Sequence, residues 1–415
     1  MARELEARRR RLSARGWATL VLAAVLFVAA YSLGYEELLL PAGVALLLVV
    51  SGVVTALVRS PWLEVKRTFT PASVGAGDTV RVTVTVSNVG ASPTVAAQWT
   101  DTAPWGGSPS GTLPGLAWGA RRDARVEYEL RAHRRGIVSF GPLLLDLRDP
   151  FGMVDVEHHI GGVDRLVVTP QVSRLPADGS AFGEGEGSAQ FVQRRTTGND
   201  DDLMTREYRT GDALRRVHWR ASARHGELMV RQEEQRSFPD ARLILDTRRA
   251  SYPDAVGGES DGFEWAVRMA ASMGVHLGDA GYRLTVLETA PAQLVQPGAT
   301  SERAERDGIY LESLAGVRLI DAAPDAAAVE RETPATGGPL FAVFADPESD
   351  VLRWASGLRR PGDRAVVFLL PGARPATVDA LGRAGWTLVS VRPDDDPSVG
   401  WADAVRAIEP ADLRG

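Results

Sequence analysis

Apolar and polar positions follow a succession of distinct rhythms along the chain. Residues 16 to 33 (GWATLVLAAVLFVAAYSL) and 38 to 58 (LLLPAGVALLLVVSGVVTALV) carry no charge. Each run is long enough to cross about 30 Å of hydrocarbon as an α-helix, so a membrane hairpin is predicted. From Val80 the period becomes two. VRVTVTV (80 to 86) sets valines on one face and Arg81, Thr83 and Thr85 on the other, the pattern of a half-buried strand, and Asn88-Val89-Gly90 then reads as a turn. Similar segments recur at 125 to 130, 143 to 147 and 166 to 169, separated by Gly, Pro and Asp clusters. Residues 172 to 202 are rich in Gly, Ser and Asp and end in Asn199-Asp200-Asp201-Asp202, which reads as a largely irregular linker. From Arg242 onward, short apolar strands alternate with helices: RLILD (242 to 246), YRLTVLE (282 to 288), LFAVFA (340 to 345), RAVVFLL (364 to 370) and WTLVSV (386 to 391). That alternation predicts an open parallel sheet. Between its first two strands, Phe263, Val267, Ala270, Gly274 and Leu277 fall on one helical face, which is expected to pack on the sheet.

These rhythms divide the chain into a basic N-terminus with two transmembrane helices (1–60), a β-sandwich (61–171), a linker (172–203), an Arg- and Trp-bearing segment (204–236) and an α/β domain (237–415). For 61–171 an antiparallel sandwich of immunoglobulin type fits best, and nothing within it resembles a catalytic constellation. A chain of 415 residues is too long for one core, so several folded units are expected.

Charge orients the hairpin. Arg3, Arg8, Arg9, Arg10, Arg11 and Arg15 precede or open the first span, Glu36 and Glu37 occupy the turn, and Arg59, Lys66 and Arg67 follow the second. Basic flanks stay on the cytoplasmic side, so a two-span, multi-pass protein of the cell membrane with both termini cytoplasmic is expected. A removable signal peptide is the alternative for the first run. It lacks a clear small-residue cleavage site, and a second apolar run follows almost at once.

Composition then closes several chemistries. The net charge of −6 provides no basic field for nucleic acid. With no cysteine, disulfides, thiolate catalysis and cysteine metal sites are excluded. Lys66 is the single lysine among 47 basic residues, which leaves no lysine for a phosphate-binding loop.

Residues 206 to 231 (REYRTGDALRRVHWRASARHGELMVR) depart from everything around them, gathering arginines, His218, His225 and Trp219. Gly211-Asp212 reads as a turn followed by a helix cap. Arg206, Glu207, Tyr208, Gly211, Asp212, Arg215, Arg216, His218, Trp219, Ser222, Ala223, Arg224, Leu228 and Val230, in a run of fixed spacing, closely resemble the signature of the bacterial family called domain of unknown function 58. RRGIVSFGPLLLDLRDPFGMV at 134 to 154 and the apolar hairpin resemble the regions that precede it there. The resemblance implies a von Willebrand factor A-like domain and partners: a MoxR-type AAA+ ATPase and a transglutaminase-like membrane protein. It implies no reaction.

Two readings of the arginines stay open. They form a surface for an acidic patch on a partner, because guanidinium forks pair with carboxylates. Or Arg206, Arg216 and Arg224 bond Glu207, Asp212 and Glu227 internally while Trp219 fills a core. A third reading, phosphate or nucleic-acid binding, is opposed by the interleaved acids and the lack of a stacking platform. The interaction candidates are therefore Arg206, Tyr208, Gly211, Asp212, Arg216, His218, Trp219, Ser222 and Arg224.

A von Willebrand A-like fold often binds Mg²⁺ through an Asp-x-Ser-x-Ser loop of hard oxygen ligands. Here the first strand ends Asp246-Thr247-Arg248-Arg249-Ala250-Ser251, with Arg248 and Ala250 at the serine positions. The metal site at Asp246 is expected to be degenerate, with Asp346 as a remnant ligand at best, and no cofactor is expected. A hydrolase reading would use His218 and Ser222 with Asp212 and Glu227, yet no nucleophile-elbow sequence is present. His158 and His159 are adjacent and diverge in a strand, so they do not chelate together. The sequence favours a membrane-anchored cytoplasmic adaptor or assembly module acting with the ATPase, and not an enzyme. The rival is a structural scaffold for envelope-associated complexes that uses no ATPase.

Overall fold

The computed structural model describes residues 9–58, 62–90, 93–117, 123–149, 151–176, 205–208, 217, 219–231, 240–295, 303–321 and 338–408. The chain divides into two units, Met1–Gln171 and Val172–Gly415.

The first unit begins with β1 (Arg9–Leu12), followed by α1 (Ala14–Leu33), a 3-10 turn at Glu36–Leu38 and α2 (Leu39–Val58). Gly34, at φ 72°, closes α1 in the left-handed conformation that glycine adopts without strain. Ten strands follow: β2 (Leu63–Thr70), β3 (Ser73–Gly75), β4 (Thr79–Asn88), β5 (Ala97–Asp101), β6 (Ser110–Leu113), β7 (Asp123–Arg131), β8 (Gly136–Phe140), β9 (Leu143–Arg148), β10 (Val154–Ile160) and β11 (Asp164–Thr169). They form sheets in the orders β2-β4-β7, β1-β10-β9-β5-β6 and β3-β11-β8, antiparallel except for the β3-β11 pair. Val80, Val82, Val84 and Val86 of β4 are buried with Phe140, Leu143, Leu145, Leu166 and Val168 in one core.

A hydrogen-bonded polar network around Arg67 enters that core. Arg67 continues the inward phase of Val65 and Phe69 along β2. Its Nε and Nη2 fork onto Asp101 at 3.0 and 2.7 Å, and Nη1 reaches Asp164 at 2.9 Å and the Gly162 carbonyl at 3.2 Å. The Tyr128 hydroxyl donates to Asp101 at 2.6 Å. Burial and this carboxylate push the Tyr128 phenol well above its ordinary range, which keeps it a neutral donor.

The basic arm before the first helix is a strand, which the sequence reading did not anticipate. β1 pairs antiparallel with β10, with Arg11 opposite Asp155 and Arg9 opposite Glu157. Ser13 then starts α1: its Oγ accepts from the Gly16 N–H at 3.0 Å and donates to the Gly152 carbonyl at 2.5 Å. Leu12 and Met153 pack against a small cluster of Ala56, Val154 and Val156. A Cβ at Gly16 would stand 2.2 Å from the Met153 carbonyl oxygen, so helix and strand turn meet at backbone distance. The start of α1 and the end of α2 are thereby seated on the sheet.

In the second unit the chain after Val172 is already packed. Leu175 is buried in the α/β core, and the Ser173 N–H donates to Ser272 Oγ at 2.9 Å, so the expected linker is ordered at its beginning. β12 (Thr205–Glu207), α3 (Trp219–His225) and β13 (Met229–Arg231) follow, with β12 and β13 antiparallel. Then come β14 (Asp240–Leu245), α4 (Asp261–Asp279), β15 (Arg283–Glu288), α5 (Arg303–Gly316), β16 (Leu340–Phe344), α6 (Ser349–Gly357), β17 (Ala365–Leu369), α7 (Pro375–Arg383), β18 (Thr387–Ser390) and α8 (Pro397–Ile408).

These last five strands form one parallel sheet in the order β15-β14-β16-β17-β18. The doubly wound order 2-1-3-4-5 puts a topological switch point between β14 and β16, where their carboxyl-end loops diverge. Phe263, Val267, Ala270 and Leu277 are buried as expected, and Trp265, Met269 and Met273 are buried too. Gly274 has a different role: a Cβ there would lie 2.1 Å from the Tyr310 ring of α5, and Tyr310 donates to the Ala270 carbonyl at 2.8 Å.

Candidate functional site

The signature segment is a short antiparallel pair closed over a helical turn. Arg206 lies opposite Val230, Glu207 opposite Met229, and Val217 bridges Val230. The Tyr208 N–H donates to the Leu228 carbonyl at 2.7 Å. Gly226, at φ 76°, lets the chain reverse after α3, and its N–H donates to the Ser222 carbonyl. Ser222 then holds the return: its Oγ accepts the Met229 N–H at 2.8 Å. This bond gives Ser222 a structural task in positioning β13. Among the described residues of the motif, Val217, Met229 and Val230 are buried.

Trp219 does not fill a core. It is 68% exposed at the start of α3, with Arg224, Glu227 and Leu228 exposed nearby in sequence. The hydrophobic effect gives a tryptophan no reason to remain in water, so an exposed one beside a leucine is a feature to explain. Arg224 and Glu227 form no ion pair with each other among the described residues. Gly211, Asp212, Arg215, Arg216 and His218 lie outside the described residues, and so does the geometry of a His218–Ser222 pair. In the first unit, His158 is buried on β10 while His159 bonds Glu157 at 2.9 Å on the other face, so the two imidazoles diverge.

A second candidate is the switch point of the parallel sheet. Asp246 follows β14 and is wholly buried. Its Oδ1 accepts from Thr289 Oγ1 at 2.5 Å and from the Arg248 N–H at 3.1 Å. Burial pushes its carboxyl above the usual range, with those bonds opposing the shift. Arg248, 2% exposed, directs Nη1 at Glu348 (3.1 Å) and Asp350 (3.5 Å), and its Nε lies 3.9 Å from Asp246. The loop is stitched in place on both sides: the Ile320 N–H donates to the Thr247 carbonyl, and the Asp346 N–H to the Ser251 carbonyl.

Asp346, expected at best as a remnant metal ligand, caps α7. It accepts from the Arg374 N–H at 3.2 Å and Thr377 Oγ1 at 3.0 Å, and pairs with Arg374 Nε at 2.7 Å. Partial burial alone would raise its carboxyl, but these bonds outweigh it and hold the group below the usual range. The residues present do not fit Mg²⁺: a fixed guanidinium stands among the carboxylates that would have to hold the ion, and two cations there repel. Among the described residues, no three His, Asp or Glu side chains converge as metal ligands. Sequence reasoning missed Glu348 and Asp350, which lie at the start of a helix a hundred residues beyond Arg248; no local signal links them to it.

No curated protein matches the chain. Among solved structures, the CARDB domain of the PF1109 protein from Pyrococcus furiosus, in complex with di-metal ions, is 15% identical at TM-score 0.20, covering 26% of this chain and 88% of that one. The sporulation control protein Spo0M from Bacillus subtilis is 12% identical at TM-score 0.15, covering 26% and 50%. The Pseudomonas fluorescens alkylpurine DNA glycosylase AlkC, bound to DNA containing an abasic site analog, is 13% identical at TM-score 0.18, covering 26% and 31%. At such TM-scores none of these carries an argument. The profile of the family described as Protein of unknown function DUF58 matches residues 204–316, from just before β12 to the end of α5, so that segment is similar to the family.

Proposed function

We propose that the chain is a membrane-anchored adaptor or assembly module with both termini in the cytoplasm, acting with a MoxR-type AAA+ ATPase and a transglutaminase-like membrane protein and performing no reaction itself. The observation that carries the reading is the hairpin. Its two helices pass the length and hydropathy requirements for membrane spans, and only 17% and 22% of their apolar windows are buried by protein. A core helix of a water-soluble domain would be mostly covered; these leave leucines, valines and Phe27 facing outward, which lipid accommodates. The arginines flanking the spans, against Glu36 and Glu37 in the turn, support the cytoplasmic placement.

Under this reading the β-rich part is an immunoglobulin-like spacer and the α/β part a von Willebrand factor A-like domain, with whose order the parallel sheet is compatible. The exposed Trp219 and Arg224 supply the partner surface, since tryptophan and arginine dominate protein interfaces. The alternative scaffold role, without an ATPase, draws on the bonding of Ser222 and Gly226, which gives the signature segment a structural task. The test is purification of the full chain in mild detergent from its native host, with and without Trp219→Ala plus Arg224→Ala, and identification of co-purifying proteins by mass spectrometry. Motif-dependent recovery of an AAA+ ATPase supports the adaptor. Equal recovery from both forms, or no ATPase, favours the scaffold.

A further inference from the structure

At the carboxyl end of β14 a ring of oxygen-bearing side chains surrounds a single positive charge supplied by the chain. Asp246, Glu348 and Asp350 face Arg248, whose side chain is 3% exposed. Even with Asp246 protonated, as its burial favours, Glu348 and Asp350 against one guanidinium leave the cluster negative. The neighbouring cations do not balance it: Arg249 pairs with Asp321 at 3.2 Å, and Arg374 with Asp346 at 2.7 Å. Asp246, wholly buried, still has an unpartnered Oδ2, and the Thr247 hydroxyl beside it is buried and unpartnered as well. Buried polar atoms are normally bonded, so this set of oxygens is arranged for a cation.

We propose that Arg248 is the resident cation of this crevice. Its guanidinium occupies the position of a hydrated divalent ion, so the native chain takes no Mg²⁺ or Mn²⁺ there, and loss of the guanidinium alone converts the crevice into a divalent-cation site. The 3.1 to 3.9 Å separations between guanidinium nitrogens and carboxylate oxygens exceed the roughly 2.0–2.6 Å of direct divalent-cation ligation, so an ion there draws the carboxylates inward or meets them through its waters. Glu348 and Asp350, with side chains 57% and 41% exposed, are free to rotate inward once the guanidinium is gone. The inference concerns the α/β unit alone and stands independently of the adaptor reading.

The test compares full-length protein in detergent as wild type, Arg248→Lys, Arg248→Met and Arg248→Ser, using Mn²⁺ binding by electron paramagnetic resonance and the thermal unfolding midpoint. Wild type and the lysine variant are expected to bind no Mn²⁺ at the crevice and to show midpoints unmoved by Mn²⁺ or chelator. The methionine variant, similar in length but uncharged, is expected to unfold at lower temperature. The serine variant is expected to bind one Mn²⁺ and to recover roughly 5–10 °C when the ion is present at about a hundred times its dissociation constant. Adding Glu348→Gln and Asp350→Asn is expected to abolish that binding. The proposal is overturned if wild type binds Mn²⁺ at this position, if the methionine variant is as stable as wild type, or if the folded serine variant binds none. Should the serine variant fold only with Mn²⁺, that dependence supports the proposal; failure to fold in both conditions overturns it.

Discussion

Replacing Arg67 with alanine leaves Asp101 as an uncompensated carboxylate in the core of the β-rich unit. Both side chains are wholly buried, and the guanidinium supplies two of the three hydrogen bonds that Asp101 receives from side chains. Breaking a buried pair by removing one partner costs about 3–5 kcal/mol, because the remaining charge stays desolvated. The Tyr128 hydroxyl continues to donate, which places the expected loss toward the lower end. For a unit of this size that corresponds to a fall of roughly 10 °C in its unfolding midpoint. Asp164 provides the control. Its side chain is 41% exposed, so Asp164→Ala is expected to cost at most about 1 kcal/mol. Thermal unfolding in mild detergent, followed by near-ultraviolet circular dichroism, reads the transition, because Trp99 stacks on Tyr128 at 6.1 Å beside the network. A loss below about 1 kcal/mol for Arg67→Ala, or equal losses for the two variants, would refute the reasoning.

Other expectations follow from the second unit. Trp219→Ala is expected to change stability by less than about 0.5 kcal/mol, whereas Val230→Ala, at a residue 2% exposed, is expected to cost about 2 kcal/mol; reversed values would mean that Trp219 is core. Gly274→Ala drives a Cβ into the Tyr310 ring and is expected to cost about 1–3 kcal/mol in urea unfolding, with Tyr310→Leu in the same chain relieving part of the loss. Burial, beside Trp401 at 5.1 Å, lowers the proton affinity of His276 below its ordinary 6.5. The unfolded chain therefore binds the proton first as pH falls through that value, so the unfolding midpoint declines from there downward and His276→Gln flattens the slope.

The parts legible from sequence are those where one rhythm decides burial. VRVTVTV placed the inward valines of β4 correctly, the uncharged runs gave α1 and α2 to within a few residues, and the five apolar segments after Arg242 gave the parallel strands. What escaped are contacts made by backbone or across long separations. The Arg9–Leu12 arm pairs with β10 through its main chain, so its charged side chains carry no strand pattern. Leu175 packs into a core whose residues begin some seventy positions later, which made its neighbourhood look like linker. Arg67 did carry a signal, since it continues the phase of Val65 and Phe69, but its partners Asp101 and Asp164 lie far along the chain. Arg248 had no such phase. Its burial depends on two acids at the start of α6, and only the folded sheet brings them together.

The absence of cysteine allows the membrane placement to be tested with single introduced thiols. Glu36→Cys, in the exposed turn between α1 and α2, and Asp379→Cys, exposed on α7, would each be treated with a membrane-impermeant maleimide in intact and in permeabilised cells. The account predicts labelling of position 36 in intact cells and of position 379 only after permeabilisation. Labelling of position 379 in intact cells would contradict the claim that the globular parts are held in the cytoplasm.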